Sequence, residues 1–333
     1  MNLKGKKIFV GLSGGVDSAV SAALLQKAGA DVTGVFIKGW YPPGMPCTWA
    51  NERRDAMQVA ARLHIPFRTL DASIEYKKGV IEYLINEYRA GRTPNPDVMC
   101  NKEVKFGAFY RFAKEAGADA IATGHYRSGA KNQSYFLWAV PKDVLEDTIF
   151  PIGHMEKRDV RALAKRFSLP VAEKRDSQGI CFLGSISVEE FLRSEFGIFP
   201  GRAITEDGQM IGGHDGVLLY TLGERVALRD VTGPGPWFVL AKDVARNELI
   251  VGKTRVLGSS TADRNITFAT ANWFSEPVRV TEAQYRYRGP RVPGHIEGDR
   301  FVCAAMLPEI PTPGQSIVFY RDDELVGGGI IVI

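Results

Sequence analysis

Within eight residues, Gly11-Leu12-Ser13-Gly14-Gly15-Val16-Asp17-Ser18 gathers three glycines, two hydroxyls and one carboxylate. Small residues let backbone N–H groups approach an anion, and a helix beginning at this point would add its positive end. No Gly-Lys-Ser/Thr closes the run, so it is not a Walker loop, and its glycine spacing does not fit G-x-G-x-x-G. A plain glycine turn would not need Ser-Gly-Gly-x-Asp-Ser in this order. The run therefore predicts a phosphate-binding loop, with Ser13 and Ser18 as donors and Asp17 able to hold a divalent ion that bridges phosphates.

Two thiols stand in segments with chemistry around them. Gly91–Lys102 carries Pro94 and Pro96 and ends in Cys100-Asn101-Lys102. The prolines exclude helix until after Pro96, and a helix over Glu103–Ala116 then places Cys100 near its N-terminus, where the dipole favours the thiolate. The second is Cys181, between Gly179 and Gly184 and behind Lys174-Arg175. A buried core cysteine is the plainer reading of each. Cys47 and Cys303 complete the set. None of the four forms a C-x-x-C, which argues against a disulfide scaffold and a zinc site, and no metal centre is expected.

These groups need a scaffold. Strands at Ile8–Gly11, Asp31–Ile37, Pro66–Asp71 and Ala120–Thr123 alternate with helical patterns at Ser18–Ala28, Asn51–Leu63, Tyr76–Ala90, Glu103–Ala116 and Asp159–Ser168. That alternation predicts an α/β fold with a parallel sheet. Beyond about Phe199 glycine and proline become frequent and the runs turn short and β-rich: Val217–Leu222, Pro236–Leu240, Glu248–Val251, Ile266–Ala271, Val278–Arg286, Phe301–Met306, Ser316–Tyr320 and Val326–Ile333. These predict smaller β-barrel domains, with domains at 1–200, 201–262 and 263–333. Ordinary composition over 333 residues, with 45% hydrophobic and 24% charged, excludes a disordered chain. No apolar run is long enough to cross a membrane, and the N-terminus has neither signal- nor transit-peptide character, so a cytoplasmic protein is expected. A net charge of +4 is weak evidence for a nucleic-acid partner. Gln284–Arg291, with three arginines, two tyrosines and no acid, is a better indication of RNA, although one solvated strand face would look the same.

Ser13–Ser18 resembles the signature of the PP-loop ATP pyrophosphatases, which implies ATP cleaved between its α and β phosphates and an adenylated intermediate. Thr93–Lys102 resembles the T-P-N-P-D-x-x-C-N-K block of the tRNA-specific 2-thiouridylase family, and Asp176–Gly184 its D-S-x-G-I-C-F-x-G block. Ala122-Thr123-Gly124-His125-Tyr126, Gln133–Leu137, Tyr220–Gly223, Pro313–Ser316 and Gly327–Ile331 follow the same family in order along nearly the whole chain. Its usual hairpin between His125 and Lys131 is all but missing here.

The resemblance implies a PP-loop ATP-binding and catalytic domain followed by a central β-rich domain and a tRNA-binding barrel. It implies ATP, with Mg2+, held by Gly11, Leu12, Ser13, Gly14, Gly15, Val16, Asp17 and Ser18, with Ile37 and Gly124 at the adenosine. It implies Cys181 as the persulfide carrier, Cys100 as the second thiol and the partner of Cys181 in a resulting disulfide, and Asp97 as an acid/base or orienting group at the target base. Asn95, Pro96, Asp97, His125, Lys131, Asn132, Gln133, Arg286, Tyr287 and Gln315 would contact tRNA. The expected partners are tRNA and a cysteine desulfurase or sulfur-relay protein; the sequence leaves the oligomeric state open. Another PP-loop enzyme adenylating a different substrate is the alternative.

Overall fold

The computed structural model describes residues 3–42, 49–175, 187–254 and 264–332. Cys47 and the Asp176–Gly184 block with Cys181 lie outside the described residues. The chain divides into two units, residues 1–82 with 96–185, and residues 83–95 with 186–333.

The first unit is a parallel sheet wrapped by helices. Its strands are β1 (Lys7–Gly11), β2 (Asp31–Lys38), β3 (Phe67–Asp71), β4 (Ala120–Ala122) and β5 (Thr148–Ile149), in the order β3-β2-β1-β4-β5. In β1, Ile8, Phe9 and Val10 are all buried, the uninterrupted apolar run of a central parallel strand. Successive strands run outward to one side from β1 and to the other from β4. The order therefore reverses between them, and the crevice beyond their carboxyl ends is where open α/β sheets take ligands. Helix α1 (Val16–Lys27) starts at that end of β1. Its alanines allow burial on nearly every side, among them Ala19, Ala22 and Ala23. Helix α2 (Trp49–Leu63) buries Ala56, Val59, Ala60 and Leu63, one stripe at helical spacing.

The expected helix over Tyr76–Ala90 is built from three pieces: α3 (Ser73–Tyr76), a π-helical stretch at Lys77–Ile81 and α4 (Glu82–Arg89), which belongs to the second unit from Tyr83 onward. Helix α5 (Pro96–Met99) runs on through a π-helical stretch, Cys100–Ala108, into α6 (Phe109–Glu115). The expectation that Pro96 delays the helix is thus corrected. A proline at the first helical position has no needed N–H to lose, and its fixed φ suits the first turn. The two π stretches pack closely, since a Cβ on Gly79 would lie 2.6 Å from Glu103 Cγ. Helices α7 (Lys142–Glu146) and α8 (Lys157–Arg166) complete the unit, and α8 buries Val160 and Ala164.

The second unit opens with α9 (Val188–Phe196), whose first turn is closed by a reciprocal Ser187–Glu190 capping box. Strands β6 (Gly201–Ile204), β7 (Met210–His214), β8 (Arg225–Val226), β9 (Trp237–Asp243) and β10 (Glu248–Gly252) form a sheet in the order β7-β6-β10-β9-β8. Val217–Leu222, expected as a strand, is instead a 3-10 turn at Val217–Leu219. A closed barrel follows, from β11 (Asn265–Trp273), β12 (Glu282–Gln284), β13 (Val292–Glu297), β14 (Arg300–Cys303), β15 (Ser316–Arg321) and β16 (Glu324–Ile331). Its core holds Phe268, Phe301, Cys303 and Phe319, with Trp273 stacked on Phe319 at 5.1 Å. Closure pairs every strand edge, which removes the exposed edges that invite aggregation.

Candidate active site

The Gly11–Ser18 loop leaves the end of β1 and enters α1 through Gly15, an N-cap with no side-chain cap. The first N–H groups of α1 therefore face whatever anion the loop receives. Ser13 and Ser18 brace the turn: Ser18 Oγ accepts from Ser13 N at 3.2 Å and donates to Gly15 O at 3.1 Å. Gly14 has φ +72°, and a Cβ there would lie 2.5 Å from the Glu52 carbonyl oxygen of α2, so only glycine fits. Gly124, just past β4, is held as tightly. Its Cβ would lie 2.9 Å from Asp17 C and Ser18 N. Ile37 reaches to 3.9 Å of the Cβ position of Gly11. The switch point between β1 and β4 is thus where Gly11–Ser18, Ile37 and Gly124 meet.

The loop's carboxylate is not alone. Asp17 Oδ1 accepts from the Tyr126 hydroxyl at 2.7 Å and from Lys157 Nζ at 2.7 Å. Tyr126 is clamped in turn, its N–H donating to Gln133 Oε1 at 3.0 Å and its carbonyl accepting from Gln133 N at 2.8 Å. On the other side Lys174 Nζ donates to Gly14 O at 3.0 Å and pairs with Asp55. Arg161, one turn along α8 from Lys157, donates to Lys174 O at 3.1 Å. Glu52 beside them is pushed up by burial and by Asp55, with Lys174 opposing. Tyr126 closes the Ala122–Tyr126 block quoted from the sequence but was given no role there, and Lys157 was not among the residues singled out. Lys157 lies 140 residues from Asp17 and sits in no pattern that would have exposed it.

Cys100 is the fifth residue of the continuous helical run that starts at Pro96, and it is 1% exposed. Asp97, three residues earlier, is pushed above the usual carboxylate range by burial, with Lys105 partly opposing. Asn101 donates through Nδ2 to Phe136 O at 3.0 Å, and its buried Oδ1 has no hydrogen-bond partner among the described residues. His125 is 9% exposed, bonded through Nδ1 to Thr123 Oγ1 at 2.9 Å and packed on Phe106 at 5.5 Å. Burial first, then Lys105, pushes its pKa down to about 3. At neutral pH it is therefore an uncharged ring in the core of the unit. Lys131 ends a short 3-10 turn, Gly129–Lys131, with Asn132 and Gln133 just after it, and all three are half-buried.

In the second unit, Thr93 N donates to Pro313 O at 2.9 Å, while Gln315 Nε2 donates to Thr93 O at 2.7 Å and Pro94 O at 3.1 Å. Gln315 thus ties the segment that ends at Asn95 to the barrel. Arg286 donates to Leu222 O at 3.1 Å and pairs with Glu309 at 3.1 Å. Tyr287 is half-buried with the exposed Arg288 guanidinium 5.2 Å from its ring centre. Arg288, at φ +61°, is more open to a phosphate than Arg286 is.

Three family models match in order: a tRNA methyl transferase HUP domain over residues 6–185, a tRNA methyl transferase PRC-barrel domain over 189–253, and an aminomethyltransferase beta-barrel domain over 263–331. A tRNA-specific 2-thiouridylase MnmA of Streptococcus sanguinis is 41% identical, covering 98% of this chain and 95% of that protein. One from Streptococcus pyogenes serotype M3 is 40% identical, covering 97% and 94%. With the phosphate loop at the sheet's switch point and a buried Cys100 in the same unit, similarity of this depth over essentially the full length of both proteins places the chain in the tRNA-specific 2-thiouridylase family.

Proposed function

We propose that this protein catalyses ATP-dependent 2-thiolation of the wobble uridine of tRNA. The observation that carries the reading is one α/β unit holding both an anion loop and a buried cysteine–aspartate helix turn, Asp97 and Cys100. Oxygen leaves a uracil ring poorly. Attack of the uracil C2 oxygen on the α-phosphorus of ATP makes that oxygen part of AMP and releases pyrophosphate, and AMP is a leaving group a sulfur nucleophile can displace. Gly11–Ser18 hold the phosphates, with Ile37 and Gly124 at the adenosine end. Mg2+ would arrive on the phosphates with Asp17 as its protein oxygen, since that carboxylate stands in the loop itself.

The terminal sulfur of a persulfide on Cys181 attacks C2 and AMP departs. The Cys100 thiolate then attacks the Cys181 sulfur, breaking the S–S bond to the base. Both electrons for that cleavage come from Cys100, so a Cys100–Cys181 disulfide remains and the base keeps its sulfur. Asp97, raised by burial, suits proton exchange with the uracil ring. The base must leave its stack to be reached. A cysteine desulfurase or relay protein supplies the persulfide. Asn95, Pro96, Asp97, His125, Lys131, Asn132, Gln133, Arg286, Tyr287 and Gln315 form the proposed tRNA-contacting set. For His125, bonded to the Thr123 hydroxyl, and Gln315, bonded to the Thr93 carbonyl, these internal bonds favour positioning of neighbouring groups over direct contact. The division at 200/201 and 262/263 is proposed with this assignment.

Methyl transfer, which two of the family descriptions mention, has no use for an adenylating loop in one unit with a buried thiol. A PP-loop enzyme acting on another substrate is the second reading, and the Cys100 block weighs against it. Incubation with ATP, tRNA and a persulfide donor should release AMP and pyrophosphate and yield 2-thiouridine by nucleoside mass spectrometry. Release of ADP and phosphate, or a modified base without sulfur, would sink the proposal.

A further inference from the structure

A carboxylate inside a polyphosphate site is a liability unless a cation stands with it, because it repels the ligand the loop is built to hold. Asp17 is that carboxylate, and the cation the protein itself sets beside it, apart from any Mg2+ carried in on the phosphates, is Lys157, brought from the first residue of α8. The pair is more enclosed than a surface ion pair: the Lys157 side chain is 16% exposed and that of Asp17 30%. Drawing an ammonium out of water to serve one carboxylate returns little. It returns more where a multiply charged anion binds alongside. Tyr126 makes the arrangement convertible. Its hydroxyl also donates to Asp17 Oδ1, so the carboxylate keeps a buried partner when the ammonium turns away.

We propose that Lys157 is a ligand of the β- and γ-phosphates of ATP, and hence of the pyrophosphate leaving group, with Tyr126 holding Asp17 in place as the ammonium turns to the phosphates. The assignment rests on the ATP reading above and adds a residue to it. In the step it serves, the uracil oxygen bonds to the α-phosphorus and the bond from that phosphorus to the bridging oxygen breaks. Its electron pair leaves with pyrophosphate, and the uracil N3 proton passes to the Asp97 carboxylate, the group proposed above for proton exchange with the ring. Lys157 stays protonated throughout and offsets charge that grows on the departing group. Lys174 does different work. It fixes the loop backbone at Gly14 O and pairs with Asp55, while Arg161 holds its own carbonyl.

The test is titration of the full-length protein with ATP, pyrophosphate and AMP separately, followed by calorimetry. A charge-assisted contact to phosphate is worth about 10- to 100-fold in affinity. Lys157→Met should weaken ATP and pyrophosphate by about that factor and leave AMP within about twofold. Lys157→Gln keeps a donor for Asp17 without the charge, so it should show the same loss if the charge is what matters, and it serves if the Met variant is unstable. Lys157→Arg should recover most of the affinity. Lys165→Met removes the same charge about two turns along α8 and should change nothing. Equal weakening of AMP and pyrophosphate, or none of either, would overturn the assignment and leave Lys157 a structural partner of Asp17. If the unaltered protein binds neither ATP nor pyrophosphate, the ATP reading itself falls.

Discussion

Replacing Gly14 by alanine tests whether the loop's function depends on its close approach to α2. Two costs arise. At φ +72° a side chain is strained by about 1–2 kcal/mol. The new Cβ would also stand 2.5 Å from Glu52 O and 3.0 Å from Asp55 Cβ. The first of these is helix backbone and cannot swing aside, so loop and helix must part by about 0.5–1 Å, at an overpacking cost of about 1–3 kcal/mol. The same shift stretches the 3.0 Å bond from Lys174 to Gly14 O. Displacements near 1 Å at a reacting centre cost about 100-fold in rate. Gly14→Ala should therefore lose about 100-fold in kcat/KM for ATP and melt several degrees lower, with tRNA affinity unchanged. Gly5→Ala separates the two costs. Gly5 has φ +76° and nothing within 4 Å of its Cβ position, so that variant should lose stability alone. If Gly14→Ala turns over ATP like the unaltered protein, the argument from close approach is wrong.

Three further outcomes follow from the geometry. His125 binds its proton near pH 6.5 in the unfolded chain and not until about pH 3 in the folded one. The native state therefore holds fewer protons across that window and loses stability as pH falls. Relative to His125→Gln, urea-unfolding free energies should drop by up to about 1.4 kcal/mol per pH unit below 6.5, and parallel pH curves would refute the burial argument. Asp97→Asn should remove the acid limb of the thiolation pH profile, a limb that lies above the ordinary carboxylate range because burial raises Asp97; an unmoved limb assigns it to another group. Gln315→Glu sets a carboxylate against the Thr93 and Pro94 carbonyls and should cost about 2 kcal/mol or more in stability, read by thermal melting. A fall in tRNA affinity without that destabilisation would mark Gln315 as a direct contact instead.

The first unit was legible where periodicity is strong. The Ile-Phe-Val run of β1, the alanine-rich α1 and the stripe of α2 all lie where their patterns place them. The β-rich half was read in class, and individual strands were missed for identifiable reasons. β13 carries Pro293 and Gly294 and β7 carries Gly212 and Gly213, all of which look like turn residues until barrel closure or sheet pairing uses them. The π-helical stretches have no sequence signature, and the close approach of Gly79 to Glu103 between them appears only in the fold. At the site, the loop and the cysteine block could be read because their residues are adjacent in sequence. Lys157, and the bond that Tyr126 makes, could not, because only the sheet's topology brings α8 and the chain beyond β4 to Asp17.

The burial of Cys100 has a chemical logic of its own. A thiol near a helix start gains nucleophilicity from the dipole, and a thiol out of water loses some of it. Here the helix begins at Pro96 instead of after it, and the sulfur sits deeper in the run than the sequence suggested, so burial weighs more than the dipole alone would imply. That balance suits an enzyme whose activated intermediate is open to hydrolysis. An adenylated uracil exposed to water would decompose without gaining sulfur, so the groups that act on it belong in a site from which solvent is excluded. Cys100 and Asp97, the groups proposed to act on it, are held that way, one by packing and one with its carboxyl pushed up by burial, and His125 in the same unit is kept uncharged at physiological pH. The charged part of the proposed machinery is the loop with Asp17, Lys157 and Lys174, whose side chains are half-buried. On the proposed reading, one α/β unit holds both the charged loop for ATP and an enclosed thiol, which keeps the sulfur chemistry out of water.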